Sequence, residues 1–343
     1  MSYDQNNRDG HMMTGNDKSR FLTIYREVVR DYPTMCVPAE FASRFCRTME
    51  LLARVCPIGS TILDVGAWPG TLGVCLQRAG WRVYAVDKEP ERVPADVHGI
   101  HNILRGNQHH DGKDTFGTIC KKEGILVEHL DIERSPLPFA TDSIDGIIFT
   151  EVIEHLWGNP LYTLSELNRV LKPKTGCMIL STPNLTAIRN RFNFLTGRIH
   201  DVIENPFISF LKAKRLGHMG HLRLYSPAEL ETMLTLMGFQ CSFVFDRVDL
   251  GVKEFEVSVP RSERSTQPVT QPVFPKRSLH RRLIKRPSDY WRAGYATIVE
   301  LLERAHPPFR QQVYVSAVKI TDADYDRHHK QEVERLITEN RCD

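Results

Sequence analysis

No stretch of this sequence is long and apolar enough to cross a bilayer, because no run approaches the roughly 20 apolar residues a spanning helix needs. The first residues, M-S-Y-D-Q-N-N-R-D-G, lack the apolar core of a secretory leader. The expectation is therefore a cytoplasmic protein, with peripheral attachment to a membrane surface left open. Cysteine pairs at metal-binding spacing are missing too. The eight cysteines are scattered, without C-x-x-C or zinc-ribbon spacing, as expected of reduced thiols used for packing. Charge of one sign is not in excess: 45 Lys and Arg against 42 Asp and Glu leave +3, which neither demands nor forbids nucleic acid. What is present is ordinary globular usage, 41% hydrophobic and 25% charged over 343 residues, enough for one large elaborated domain or two.

The chain is organised around residues 61–87, T-I-L-D-V-G-A-W-P-G-T-L-G-V-C-L-Q-R-A-G-W-R-V-Y-A-V-D. Ile62 and Leu63 ending in Asp64 predict a buried strand, and Gly66 to Gly70 a turn. Leu72 to Leu76 begin a helix that stops at Gly80, and Val83 to Val86 form a second strand closed by Asp87. A strand, turn, helix, strand and terminal acid form a βαβ unit suited to an adenosine ligand, with Asp87 accepting from ribose hydroxyls. A dinucleotide would need G-x-G-x-x-G to seat its pyrophosphate. Here Asp64 would repel a pyrophosphate and help to anchor an ammonium group.

Two further stretches follow in order. Leu130 to Leu156 reads L-D-I-E-R-S-P-L-P-F-A-T-D-S-I-D-G-I-I-F-T-E-V-I-E-H-L, with a third strand before it and a fourth over residues 144–149. Asp131 stands where an acid after strand three accepts from an adenine amino group. Residues 151–156 read as the start of the next helix, which puts Glu151 and Glu154 on one face. R-V-L-K-P, a fifth strand over residues 177–181 and S-T-P-N complete the series.

This succession resembles the class I S-adenosylmethionine (SAM) methyltransferases, with D-V-G-A-W-P-G as their first motif and Trp68 where a middle glycine is usual. The resemblance spans about Ser60 to Val248. It implies a Rossmann-like α/β fold with seven strands, mostly parallel with strand seven antiparallel, an N-terminal helical cap and two insertions. It implies SAM as cofactor, held by Asp64, Gly66, Ala67, Trp68, Gly70, Asp87, Lys88, Asp131, Ile132 and Thr150. The nearest likeness, through S-T-P-N-L, R-N-R-F-N-F-L-T-G-R and H-L-R-L-Y-S-P-A-E-L, is to bacterial O-methyltransferases of glycan and natural-product assembly. The implied acceptor is a hydroxyl on a sugar, glycan or small molecule. E-x-x-E-H also resembles ubiquinone-biosynthesis O-methyltransferases and small-RNA 2′-O-methyltransferases. That likeness makes Glu151, Glu154, His155 and His221 a candidate divalent-metal set; the alternative is His155 as base, with Glu151 and His221 beside it as further catalytic candidates. An RNA 2′-O-methyltransferase, with RNA the less favoured partner, and a non-catalytic adaptor of the same fold stay open.

The expected organisation is a disordered tail (1–18), a helical cap (19–58) and a SAM-binding core (59–250) with a lid insertion (185–220). A basic insertion (251–310), a last core strand (311–320) and a charged tail (321–343) follow. Within the basic insertion, residues 261–292 carry nine Lys and Arg, which suits either a solvated loop or a phosphate-bearing or lipid-linked acceptor. Four histidines at 98, 101, 109 and 110 lack the spacing of a metal site.

Overall fold

A computed structural model describes residues 15–33, 40–88, 116–197, 221–246, 299, 301–302, 306 and 310–323. The histidine-rich loop, the nine-residue basic cluster, residues 198–220 of the expected lid and the tail beyond residue 323 lie outside the described residues.

Seven strands form one sheet in the order β3-β2-β1-β4-β5-β7-β6. They are β1 (Thr61–Val65), β2 (Arg82–Asp87), β3 (Leu126–His129), β4 (Gly146–Thr150), β5 (Cys177–Pro183), β6 (Phe239–Asp246) and β7 (Gln312–Lys319). β7 alone runs antiparallel, to both β5 and β6. β1 and β4 are buried on both faces, which is why they read as continuous apolar runs rather than alternating ones. β7 lies between two strands and its residues are largely buried, including Lys319, whose Nζ donates to Asp142 and to the Leu171 carbonyl.

Seven helices are described: α1 (Gly15–Asp31), α2 (Glu40–Val55), α3 (Thr71–Ala79), α4 (Phe116–Lys122), α5 (Pro160–Val170), α6 (Ile188–Leu195) and α7 (Pro227–Leu236). α1 corrects the expected tail, since Gly15 to Lys18 are helical and supply a polar first turn ahead of Phe21. The apolar faces of α1 and α2 (Phe21, Tyr25, Val28, Met49, Leu52) join one core cluster with Ile62 and Ile179 of the sheet and Val74 of α3. Burying such side chains stabilises by about 1.5–3 kcal/mol each. α3 ends at Gly80 (φ 108°), whose N–H bonds the carbonyls of Gln77 and Leu76. Ser226 caps α7 in a reciprocal box with Glu229, as its sequence predicts.

The strand order reverses direction between β1 and β4. In open α/β sheets the crevice outside the carboxyl ends of the strands at that reversal is where ligands bind. Asp64, Asp87, Thr150 and Glu151 all stand at or beside those ends.

Candidate active site

A cavity of about 120 Å³ opens at the reversal, lined by Asp64, Gly66, Ala67, Trp68, Pro69, Leu72, Thr150, Glu151 and Ser181 from the sheet side. Phe41, Arg44, Phe45 and Thr48 of α2 close its other wall. The turn after β1 is fixed by the Gly66 and Ala67 N–H groups, which donate to the Val86 carbonyl at 2.8 and 3.3 Å. Gly66 has φ 73°, and a side chain there would collide with Val152, so both the conformation and the space require glycine.

The acids of this wall differ in environment. Asp64 is buried and accepts no hydrogen bond from the described residues. Burial, with the Asp87 charge second, pushes its carboxyl up to about 7. Gly73 of α3 lets the helix pack within reach of it: a Cβ there would lie 3.2 Å from Asp64 Oδ2. Asp87 Oδ2 accepts from the Trp68 N–H at 2.6 Å. Burial raises the Asp87 carboxyl, opposed by the backbone N–H groups of Trp68 and Lys88. Asp131 follows β3, accepts from the Glu133 N–H at 3.1 Å, and lies 3.8 Å from the Lys88 ammonium.

Beyond β4 the structure corrects the expected helix start. Glu151 has φ 58° and stands outside any helix; a single 3-10 turn covers Ile153–His155, and α5 begins only at Pro160. Glu151 is left-handed and lies before the 3-10 turn, so the two do not share a helical face. Glu151 Oε1 accepts from Ser181 Oγ (2.8 Å) and Gln312 Nε2 (2.6 Å), while Oε2 takes the Arg44 guanidinium (2.5 Å). Three donors fix its orientation. Glu154 is wholly buried; its Oε2 accepts from Thr182 Oγ1 at 2.9 Å, and its Oε1 has no hydrogen-bond partner among the described residues. Burial, with the Glu151 charge second, raises its carboxyl well above the usual carboxylate range.

Of the four expected metal ligands, the structure gathers three. Glu154, His155 and His221 each offer a ligand atom within 4.8 Å of the others, and the two imidazole rings meet edge to face at 5.0 Å. Glu151 stands apart, for the backbone reason given above. His221 arrives because the N–H groups of Leu222 and Arg223 donate to the Glu154 carbonyl at 2.8 and 3.3 Å. The Asn184–Tyr225 bridge then ties that segment to the end of β5.

The sequence reading missed Arg44, Ser181, Thr182 and Gln312. Ser181 and Thr182 sat in the quoted S-T-P-N, whereas Arg44 and Gln312 carry no local signal and reach the site only through tertiary packing.

A family profile described as a methyltransferase domain matches residues 39–242, more than half of the chain. A probable SAM-dependent methyltransferase of Mycolicibacterium smegmatis is 35% identical over 116 residues, 34% of this chain and 35% of its own length. An uncharacterised methyltransferase of Mycobacterium tuberculosis is 29% identical over 125 residues, 36% of this chain and 40% of its own. The chain thus spans little more than a third of the length of these curated relatives. Among solved structures, a SAM-dependent methyltransferase from Archaeoglobus fulgidus aligns over 81% of this chain and 93% of its own, with 15% identity and a TM-score of 0.42. The residues fit the cofactor of that family: a buried carboxylate near the end of β1 that accepts no hydrogen bond from the described residues, a glycine turn beside it, and an acid at the end of β2. With the profile running from α2 into β6, the chain belongs to the class I SAM-dependent methyltransferases, and SAM is its cofactor.

Proposed function

We propose that this protein is an O-methyltransferase that methylates a hydroxyl of a sugar, glycan or small molecule. The observation that carries the reading is the Glu154–His155–His221 cluster, whose first member follows three residues after Glu151 of the cavity wall. The cofactor, when bound, supplies an electrophilic methyl group on a sulfonium; the protein must hold it, orient the acceptor oxygen and take that oxygen's proton.

Each of these tasks has a residue. Asp87 holds the ribose hydroxyls. Its replacement by Ala should weaken SAM by about tenfold or more, since charge-assisted hydrogen bonds contribute about 1.5–3 kcal/mol each; unchanged affinity by calorimetry would remove Asp87 from the site. Asp64 receives the ammonium group. Arg44 has guanidinium donors beyond the one on Glu151 to offer the cofactor's carboxylate. Asp131 and Ile132 border the adenine, and Gly66, Ala67, Gly70, Lys88 and Thr150 complete the surround. His155 is the base that accepts the acceptor's proton. Arg44→Gln should weaken SAM about tenfold yet leave decarboxylated SAM within about twofold, because the lost bond reaches only the carboxylate; equal losses would assign Arg44 a purely structural part.

A second reading is favoured by Glu154 Oε1, which is buried and unpartnered among the described residues. A buried acceptor without a donor costs free energy that a cation would recover. One carboxylate and two imidazoles suit Mn²⁺, Fe²⁺ or Zn²⁺, which would orient and acidify the acceptor hydroxyl. Calorimetric titration with Mn²⁺ and Zn²⁺ should give one site lost in Glu154→Gln and in His221→Ala; no heat from either metal leaves His155 as a simple base.

The acceptor is identified with tritiated SAM and fractionated glycans, lipids, RNA and small molecules, with and without chelator. Label in the glycan or small-molecule fraction supports the proposal, label in RNA replaces it with a 2′-O-methyltransferase, and label in no fraction favours an adaptor. Label confined to lipid-linked glycan would give the basic insertion its phosphate-bearing partner at a membrane surface.

A further inference from the structure

Two adjacent hydroxyls at the end of β5 hold the two glutamates. Ser181 Oγ donates to Glu151 Oε1 at 2.8 Å, and Thr182 Oγ1 to Glu154 Oε2 at 2.9 Å. Successive side chains of a strand leave on opposite faces of the sheet. Ser181 therefore shares the face of Ile179 and of its partner across the ladder, Tyr314, the face on which α1 and α2 pack. Thr182 shares the face of Leu180 and its own partner Val313, on which Tyr225 and Leu230 pack.

The rest of each environment follows that division. On the first face Gln312 and Arg44 of α2 complete the donors on Glu151, and this carboxylate lines the cofactor cavity. On the second, Thr182 and Glu154 are both wholly buried. The segment that carries His221 is tied there through buried Tyr225 and its bridge to Asn184. Thr182 occupies one oxygen of Glu154. The other, Oε1, is buried and unpartnered among the described residues, in the cluster that includes His155 and His221.

We infer that Thr182 is a positioning residue: by holding Oε2 it leaves Glu154 Oε1 for a divalent ion shared with His155 and His221, while Ser181 beside it serves the cofactor wall through Glu151. The inference rests on the divalent-ion reading of that cluster. One strand end thus sorts two carboxylates between holding the cofactor and orienting the acceptor. Groups that fix a metal ligand in this way govern ion affinity by about 10–100-fold.

Calorimetry on the full chain tests it with Mn²⁺, Zn²⁺ and SAM as titrants. Wild type is compared with Thr182→Val, which keeps the shape without the hydroxyl, Thr182→Ser, which keeps the hydroxyl, and Ser181→Ala. Thr182→Val should weaken the ion about 10–100-fold and leave SAM within about twofold. Thr182→Ser should bind the ion within about threefold of wild type. Ser181→Ala should give the reverse pattern, SAM about threefold weaker and the ion within about twofold, since Gln312 and Arg44 still hold Glu151. Thr182→Ala carries the same expectation as the valine variant and replaces it if that protein does not fold. Wild-type ion affinity in Thr182→Val, a loss as large in Thr182→Ser, or equal losses of ion and SAM in Thr182→Val overturns the inference. Heat from neither ion with wild type removes the cluster reading and the inference with it, a result distinct from variants that bind the ion unchanged.

Discussion

Replacing Asp64 with Asn should weaken SAM on the order of a hundredfold or more, because removing one partner of a buried ion pair costs about 3–5 kcal/mol. The same change should stabilise the ligand-free protein at neutral and alkaline pH. The free carboxylate has its pKa raised to about 7, above the ordinary 3.8, through burial and the Asp87 charge. Between those two values the folded chain keeps a proton that the unfolded chain has released. Stability is therefore fullest below pH about 4, falls as pH rises toward 7, and is level beyond it. Asp64→Asn should abolish that slope and raise the melting temperature at pH 8. Cofactor binding should show the opposite trend. An ammonium partner favours the ionised carboxylate, so wild-type affinity should be about tenfold weaker at pH 6 than at pH 8. Thermal melts and calorimetry across pH 5–8 check both halves; a pH-independent affinity in wild type would mean that Asp64 does not meet the ammonium group.

His155→Ala should lower transfer to the acceptor by about 10²–10⁴-fold at saturating SAM, the usual contribution of a positioned base, while SAM affinity stays within about twofold. The split matters more than the magnitude. A loss shared between turnover and cofactor affinity would show that His155 only packs the strand ends. Should a divalent ion sit on the cluster, His221→Ala and Glu154→Gln should reproduce the loss and chelator should mimic it. If His155 acts alone, chelator should leave the rate untouched.

The sheet was legible because parallel strands buried on both faces announce themselves as apolar runs, and the turns between them as glycines. Ile62–Leu63, Val83–Val86 and Ile147–Phe149 could hardly read otherwise. The acids at the strand ends were legible for a related reason. A charge that closes an apolar run is costly unless it meets a partner, and Asp64 and Asp87 both close such runs. The segment after β4 was misread because E-V-I-E-H-L has helical spacing, and nothing in those six residues reveals a left-handed Glu151. Its carboxylate is held from outside, by Ser181, Gln312 and Arg44 of three other elements, contacts that no local spacing encodes.

The sequence by itself determined the class of fold, the order of its strands along the chain and the acids of the cofactor wall, since each is a local pattern of burial and charge. Only the tertiary structure decided which distant groups complete the site. It placed Arg44 of the cap helix and Gln312 of the last strand on Glu151, and it drew His221 to Glu154 through backbone hydrogen bonds from Leu222 and Arg223. It also separated the two glutamates by environment, one oriented by three donors and one buried with an oxygen unpartnered among the described residues. The physical reason is that pairings across many residues of chain depend on how helices and strands pack, and no spacing within one segment encodes them.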